Sequence, residues 1–215
     1  MSNHKKPTFF HERGLLSAGY FMVAGVDEAG VGALAGPVVA SAVVLPLDSR
    51  IGNLDDSKKV SAAWRERLYG LVTARALAWA VGMATNEEID EIGIRPANYL
   101  AMRRAIDQIF GVDFVLVDAW TLPDLKISQL GIIRGDQKVK SIAAASIIAK
   151  VTRDRLMLKH HQELPQYGFD RHKGYGTEFH RTQIKKFGPC SLHRRSFLRN
   201  FLSSTTLGAG RTFNI

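Results

Sequence analysis

A chain of 215 residues that is 46% hydrophobic is long enough to bury one core, which excludes wholesale disorder. Its 29 Lys and Arg against 20 Asp and Glu leave a formal charge of +9, an excess that favours a polyanionic partner such as nucleic acid. The lone Cys190 forbids an internal disulfide, and neither an 18-residue apolar run nor a secretory signal is present, so a cytoplasmic protein without a membrane partner is expected.

Residues 1–12 and 203–215 read as tail-like ends. Tyr20 to Val26 predicts a short buried strand that delivers Asp27 and Glu28 where it leaves its sheet. Two adjacent acids there either face water as an ordinary strand-end pair or share a hard divalent cation, which takes oxygen ligands. Gly30-x-Gly32-x-x-Ala35 matches a loose dinucleotide-binding fingerprint, but that motif opens a helix. Here Val38 to Leu45 follows, a β-branched run that predicts a second strand, so the glycines turn between strands and let a backbone come close.

Pro46 to Gly52 reads as a loop, and Asp55-Asp56-Ser57-Lys58-Lys59 precedes a helix over about Ser61 to Thr73. Leu77 to Met83 predicts a third strand, completing an antiparallel meander. Thr85-Asn86-Glu87-Glu88 has capping-box spacing and starts a short helix. A longer one begins near Pro96, with Ala97, Leu100, Ala101, Ile106 and Ile109 on its apolar face.

Phe114 to Val117 predicts a fourth buried strand ending in Asp118. A crossover through the preceding helix lays it beside the first strand, so that Asp118 can meet Asp27. Ile132-Ile133-Arg134-Gly135-Asp136 predicts a fifth strand with Asp136 at its end. The order implies an α/β fold, a mixed five-stranded sheet flanked by helices. Ser141 to about Glu163 predicts a helix whose first part is buried. Tyr167 to Thr177 is glycine-rich, basic and aromatic, which suits either a turn around a buried tyrosine or a surface for phosphate and sugar. A helix from about Thr177 to Phe187 stops at Gly188-Pro189, and His193-Arg194-Arg195 adds cations in a small C-terminal helical part. The seven histidines lack zinc-site spacing, and no G-x-S-x-G or P-loop occurs.

Taken in order, Gly25-Val26-Asp27-Glu28-Ala29-Gly30 with Leu34-Ala35-Gly36-Pro37-Val38-Val39, Asp55-Asp56-Ser57-Lys58-Lys59, Ser141 to Val151, and His172-Lys173-Gly174-Tyr175-Gly176-Thr177 resemble the signatures of the ribonuclease HII family over roughly residues 20–199. The resemblance implies a ribonuclease-H-like fold with an N-terminal extension over 1–19, a catalytic domain over 20–199 and a tail over 200–215. It implies an endonuclease that hydrolyses the RNA strand of RNA–DNA hybrids and cleaves at ribonucleotides embedded in duplex DNA, leaving 3′-OH and 5′-phosphate ends. The four-carboxylate site falls on Asp27, Glu28, Asp118 and Asp136, holding two Mg²⁺ or Mn²⁺ ions. Tyr175 then packs on the sugar at the RNA–DNA junction, Gly30, Val31 and Gly32 face the nucleic acid, and Lys150, Lys173 and Arg194, with Lys138, are candidate backbone contacts. A monomer is expected.

Two departures stand out. The family usually has a basic residue between the glycines and then Pro, where this chain has Val31 and Ala33, which predicts weaker selectivity for a lone ribonucleotide. The residue after Asp118 is Ala119, where the family usually has Gly. Two competing readings are a hybrid-binding protein that has lost efficient cleavage and another nuclease of the same fold, such as a resolvase.

Overall fold

The computed structural model describes residues 6–52, 54 and 60–203, and the Asp55 to Lys59 motif lies outside them. The elements are α1 (Phe10–Ser17), β1 (Val23–Ala29), β2 (Val38–Val44), α2 (Ala62–Arg75), β3 (Ala78–Ala84), α3 (Asn86–Ile92), α4 (Ile94–Ile106), β4 (Phe114–Asp118), β5 (Ser128–Ile132), α5 (Lys140–Glu163), α6 (Phe169–His172), α7 (Glu178–Phe187) and α8 (Arg195–Ser203). The sheet runs β3-β2-β1-β4-β5, antiparallel through β3, β2 and β1 and parallel through β1, β4 and β5. This is the expected mixed sheet: the meander supplies one half, and the crossover through α3 and α4 returns the chain beside β1.

Each face of the central strands has its own core. Ala24, Val26, Val38, Ala40, Ala42 and Val44 pack under α4 residues such as Ala101, Met102 and Ala105. On the other face Val43 meets Ala144, Ala145, Ile147 and Ile148 of α5. Both helices ride close because a glycine lies beneath each. A Cβ on Gly25 would stand 2.2 Å from the Ser141 carbonyl carbon, and one on Gly82 would stand 2.1 Å from the Ala101 carbonyl oxygen.

Three expectations shift. β1 begins at Val23 and runs to Ala29, so Asp27 and Glu28 lie within the last turn of the pleat rather than beyond it. The fifth strand is Ser128–Ile132; Ile133 and Arg134 leave the sheet, Arg134 takes φ +56, and Asp136 sits on a 3₁₀ turn over Gly135–Gln137. The apolar pair Ile132-Ile133 suggests a strand centre, but the edge strand has only one covered side and tolerates polar Ser128 and Gln129. Residues 7–12 are not a tail. Thr8 bridges Val139, Phe9 enters the α5 core, and the Glu12 carboxylate accepts from both the Ser141 N–H (3.0 Å) and hydroxyl (2.9 Å).

Candidate functional site

Side chains alternate along a strand, so Gly25 and Asp27 share the β1 face covered by α5. In the parallel pairing of β1 and β4, Gly25 is opposite Leu116 and Val26 opposite Val117, so the next step sets Asp27 beside Asp118. The Gly135 N–H donates to Asp118 Oδ1 at 2.6 Å, which anchors the turn carrying Asp136 to the end of β4. Glu28 points to the opposite pleat face, and its N–H donates to Asp27 Oδ1 at 2.7 Å. Three expected acids thus come from two neighbouring strand ends and a fourth from the turn that leads into α5.

Asp27 is only 6% exposed and Asp136 only 7%. Burial, then the charges of Glu28 and Asp118 and more weakly Asp136, hold the Asp27 carboxyl well above the usual range, while the hydrogen bond from Glu28 opposes them. Carboxyl groups are therefore crowded together where β1 and β4 end. Among the described residues no three His, Cys, Asp or Glu side chains form a ready-made cage for a metal ion.

Beside the acids the chain turns through Gly30–Gly36. This loop is held from both sides: Ala33 bridges Tyr175, Ala35 bridges His193, and the Leu34 N–H donates to the Gly174 carbonyl at 2.8 Å. Gly30, with φ +97, leaves no room for a Cβ, because Arg153 Nε would lie 2.0 Å from it. Val31 is half-buried against the α4-side core, and Gly32 is exposed. Tyr175 is half-buried, with Lys150 Nζ 5.7 Å and the Arg153 guanidinium 5.3 Å from its ring centroid.

The cations divide. Lys150 pairs with Asp154 at 2.6 Å, each side chain 18% exposed, and Lys173 donates its ammonium to the Asp170 carbonyl. Both remain at the rim of the Tyr175 loop. Arg194 does not: it is fully buried and donates to the Gly36, Val31 and Gly30 carbonyls at 3.0, 2.8 and 2.7 Å. A guanidinium with no exposed surface, held by three backbone carbonyls, cannot reach a phosphate, so the expectation of an Arg194 contact is corrected. Burial and the nearby Arg153 charge lower its pKa to about 9.

The family model described as Ribonuclease HII matches residues 24–200. The chain belongs to the ribonuclease HII family. A ribonuclease HII of Clostridioides difficile strain 630 is 50% identical over 86% of this chain and 72% of its own, and that of Syntrophotalea carbinolica 47% over 91% and 94%. The crystal structure of ribonuclease H2 from Pyrococcus horikoshii OT3 superposes with a TM-score of 0.72 at 26% identity, covering 87% of this chain and 99% of that one. Membership makes the chain a ribonuclease H, an endonuclease acting on RNA–DNA hybrids, and the shared fold is that of the ribonuclease HII neighbours.

Sequence reasoning missed Arg153, which is also fully buried and donates to the Pro37, Lys173 and Ala35 carbonyls at 2.9, 2.8 and 3.1 Å. Its signal was present. Ala149, Arg153 and Met157 recur at helical spacing along the buried stripe of α5, and a cation on such a stripe must be matched by acceptors.

Proposed function

We propose that this ribonuclease HII also cleaves beside single ribonucleotides embedded in duplex DNA, and that Asp27, Glu28, Asp118 and Asp136 hold two divalent ions for the reaction. The observation that carries this reading is the convergence of Asp27, Asp118 and Asp136 at one edge, where burial and mutual repulsion raise the Asp27 pKa. Hard oxygen donors crowded around a buried carboxyl fit Mg²⁺ or Mn²⁺, and divalent-metal dependence is a property of the family. Ions held there would activate the attacking water and stabilise the leaving 3′-oxygen, giving 3′-OH and 5′-phosphate ends.

The protein's own part is orientation and exclusion of water. The sheet and α5 desolvate Asp27. The Gly30–Gly36 loop, stiffened by four guanidinium hydrogen bonds from Arg153 and Arg194, offers backbone N–H groups to phosphate near Val31 and Gly32. Tyr175 packs on the sugar, and Lys150 and Lys173 contact the backbone. The catalytic unit spans 20–199 and acts as a monomer in the cytoplasm, with residues 7–17 docked on it.

The test is a labelled duplex with one ribonucleotide, an all-DNA control and an RNA–DNA hybrid, each with Mg²⁺, Mn²⁺ or chelator. Cleavage of the first and third only, and only with metal, is expected. An intact single-ribonucleotide duplex would restrict the enzyme to continuous hybrids. Metal binding itself is read as a rise in Tm on adding Mn²⁺ that Asp27→Asn diminishes.

A further inference from the structure

The loop that carries Tyr175 is backed by three buried imidazoles, His172, His180 and His193, of which His180 is fully enclosed. His180 Nδ1 lies 3.0 Å from the Tyr175 carbonyl oxygen, and its Nε2 lies 3.1 Å from His193 Nε2. On the far side His193 Nδ1 accepts the Cys190 N–H at 2.9 Å and faces the Cys190 thiol at 3.0 Å. His172 Nε2 is 2.9 Å from the Tyr167 carbonyl, its Nδ1 accepts the Gly174 N–H at 3.2 Å, and its ring stacks on His180 with centroids 4.2 Å apart.

These partners assign every proton. A carbonyl only accepts, so His180 carries its proton on Nδ1 and its Nε2 must accept. His193 therefore donates from Nε2, which leaves its Nδ1 to accept from Cys190. His172 donates from Nε2 and accepts at Nδ1. Every imidazole is neutral and every ring nitrogen is matched, whereas an added proton would set a donor against a donor. Burial, before any charge effect, lowers all three pKa values, to about 4 for His180 and His193. The charged and titratable groups around them are Asp170, Arg171 and Lys173 beside His172, Tyr167 and Cys190 beside His193, and Arg194 next in the chain.

The relay also joins two segments that grip the Gly30–Gly36 loop from opposite sides, since Tyr175 bridges Ala33 and His193 bridges Ala35. We propose that Cys190, His193 and His180 form a neutral hydrogen-bonded relay, with His172 stacked on His180, that fixes the spacing of these two segments, and thereby act as positioning residues for the Tyr175 ring. This rests on Tyr175 being the residue that meets the sugar.

The test compares the full chain with Tyr175→Ala, His180→Phe and His180→Asn on the single-ribonucleotide duplex. Phenylalanine keeps a ring but makes neither hydrogen bond, and asparagine restores a donor towards the Tyr175 carbonyl. His180→Phe should raise KM about tenfold, the scale of one lost hydrogen bond, with kcat within about twofold. His180→Asn should recover much of that KM. Long-range ¹H–¹⁵N spectra of the unaltered protein give a second reading that needs no variant to fold: at neutral pH, protons on His180 Nδ1 and His193 Nε2. An unchanged KM in Tyr175→Ala overturns the sugar-contact reading and the positioning role with it. A raised KM in Tyr175→Ala beside an unchanged one in folded His180→Phe overturns the relay alone, as does a charged His180 or a His193 protonated on Nδ1.

Discussion

Asp27 concentrates the chemistry of this molecule in one side chain, because it is the acid that the sheet, α5 and three other carboxylates all crowd. Asp27→Asn should cut cleavage by at least about 100-fold, the scale of losing one electrostatic stabiliser, while hybrid affinity holds or rises, since less negative charge cannot weaken attraction to a polyanion. Undiminished cleavage would remove Asp27 from the site. Ala119, just past Asp118 and where the family usually has Gly, adopts φ +63, a left-handed conformation that a Cβ makes costly. Ala119→Gly should then raise stability by up to about 1 kcal/mol, read as a higher urea midpoint with unchanged slope. The Val31 side chain has no donor for a 2′-hydroxyl or phosphate and instead rests against the α4-side core. Val31→Arg gives up that apolar contact but adds a charged donor beside exposed Gly32. It should move the kcat/KM ratio towards the single-ribonucleotide substrate by roughly tenfold or more; an unmoved ratio would mean that the sugar is read elsewhere.

Elements whose cause lies in neighbouring residues were legible in the sequence, and those whose cause lies across the fold were not. The capping box of α3 is local, and the structure has both halves of it, Glu88 N–H to Thr85 Oγ1 and Thr85 N–H to Glu88 Oε2. The strand-end acids were legible because apolar runs ending in Asp recur along the chain, whereas a single one suits a solvated strand end. Arg194 was misread, and Arg153 and the histidine relay were missed, because their partners are largely backbone carbonyls, which carry no sequence signature. The same holds for α5, whose N-terminus is capped by Glu12 from α1, 129 residues away. Glu12→Ala should cost about 1–3 kcal/mol by stranding the Ser141 donors, measured by denaturant unfolding. Loss confined to activity, with stability intact, would instead place Glu12 in the site's electrostatics.

At the scale of the whole molecule the question is how much of the +9 charge reaches the nucleic acid. Two of its 29 cations, Arg153 and Arg194, are fully buried and bind carbonyls, and Arg155 is paired with Glu66. The interface should therefore be modest for so basic a chain. Neutralising each phosphate releases condensed counterions, with a slope of log K against log salt of about −0.9 per contact on B-form DNA. Three or four contacts would give a slope of about −3, far shallower than the net charge alone suggests. Lys173→Gln, at the rim of the Tyr175 loop, should make the slope less steep by about 1. Arg155→Gln should leave it unchanged, because that guanidinium already pairs with Glu66 at 2.5 Å and stands over Tyr69. Titration of hybrid affinity with salt, in chelator so that no cleavage intrudes, separates these outcomes. An Arg155 variant that lowers the slope as much as Lys173→Gln would move the binding face from the Tyr175 loop to the outer surface of α2 and α5.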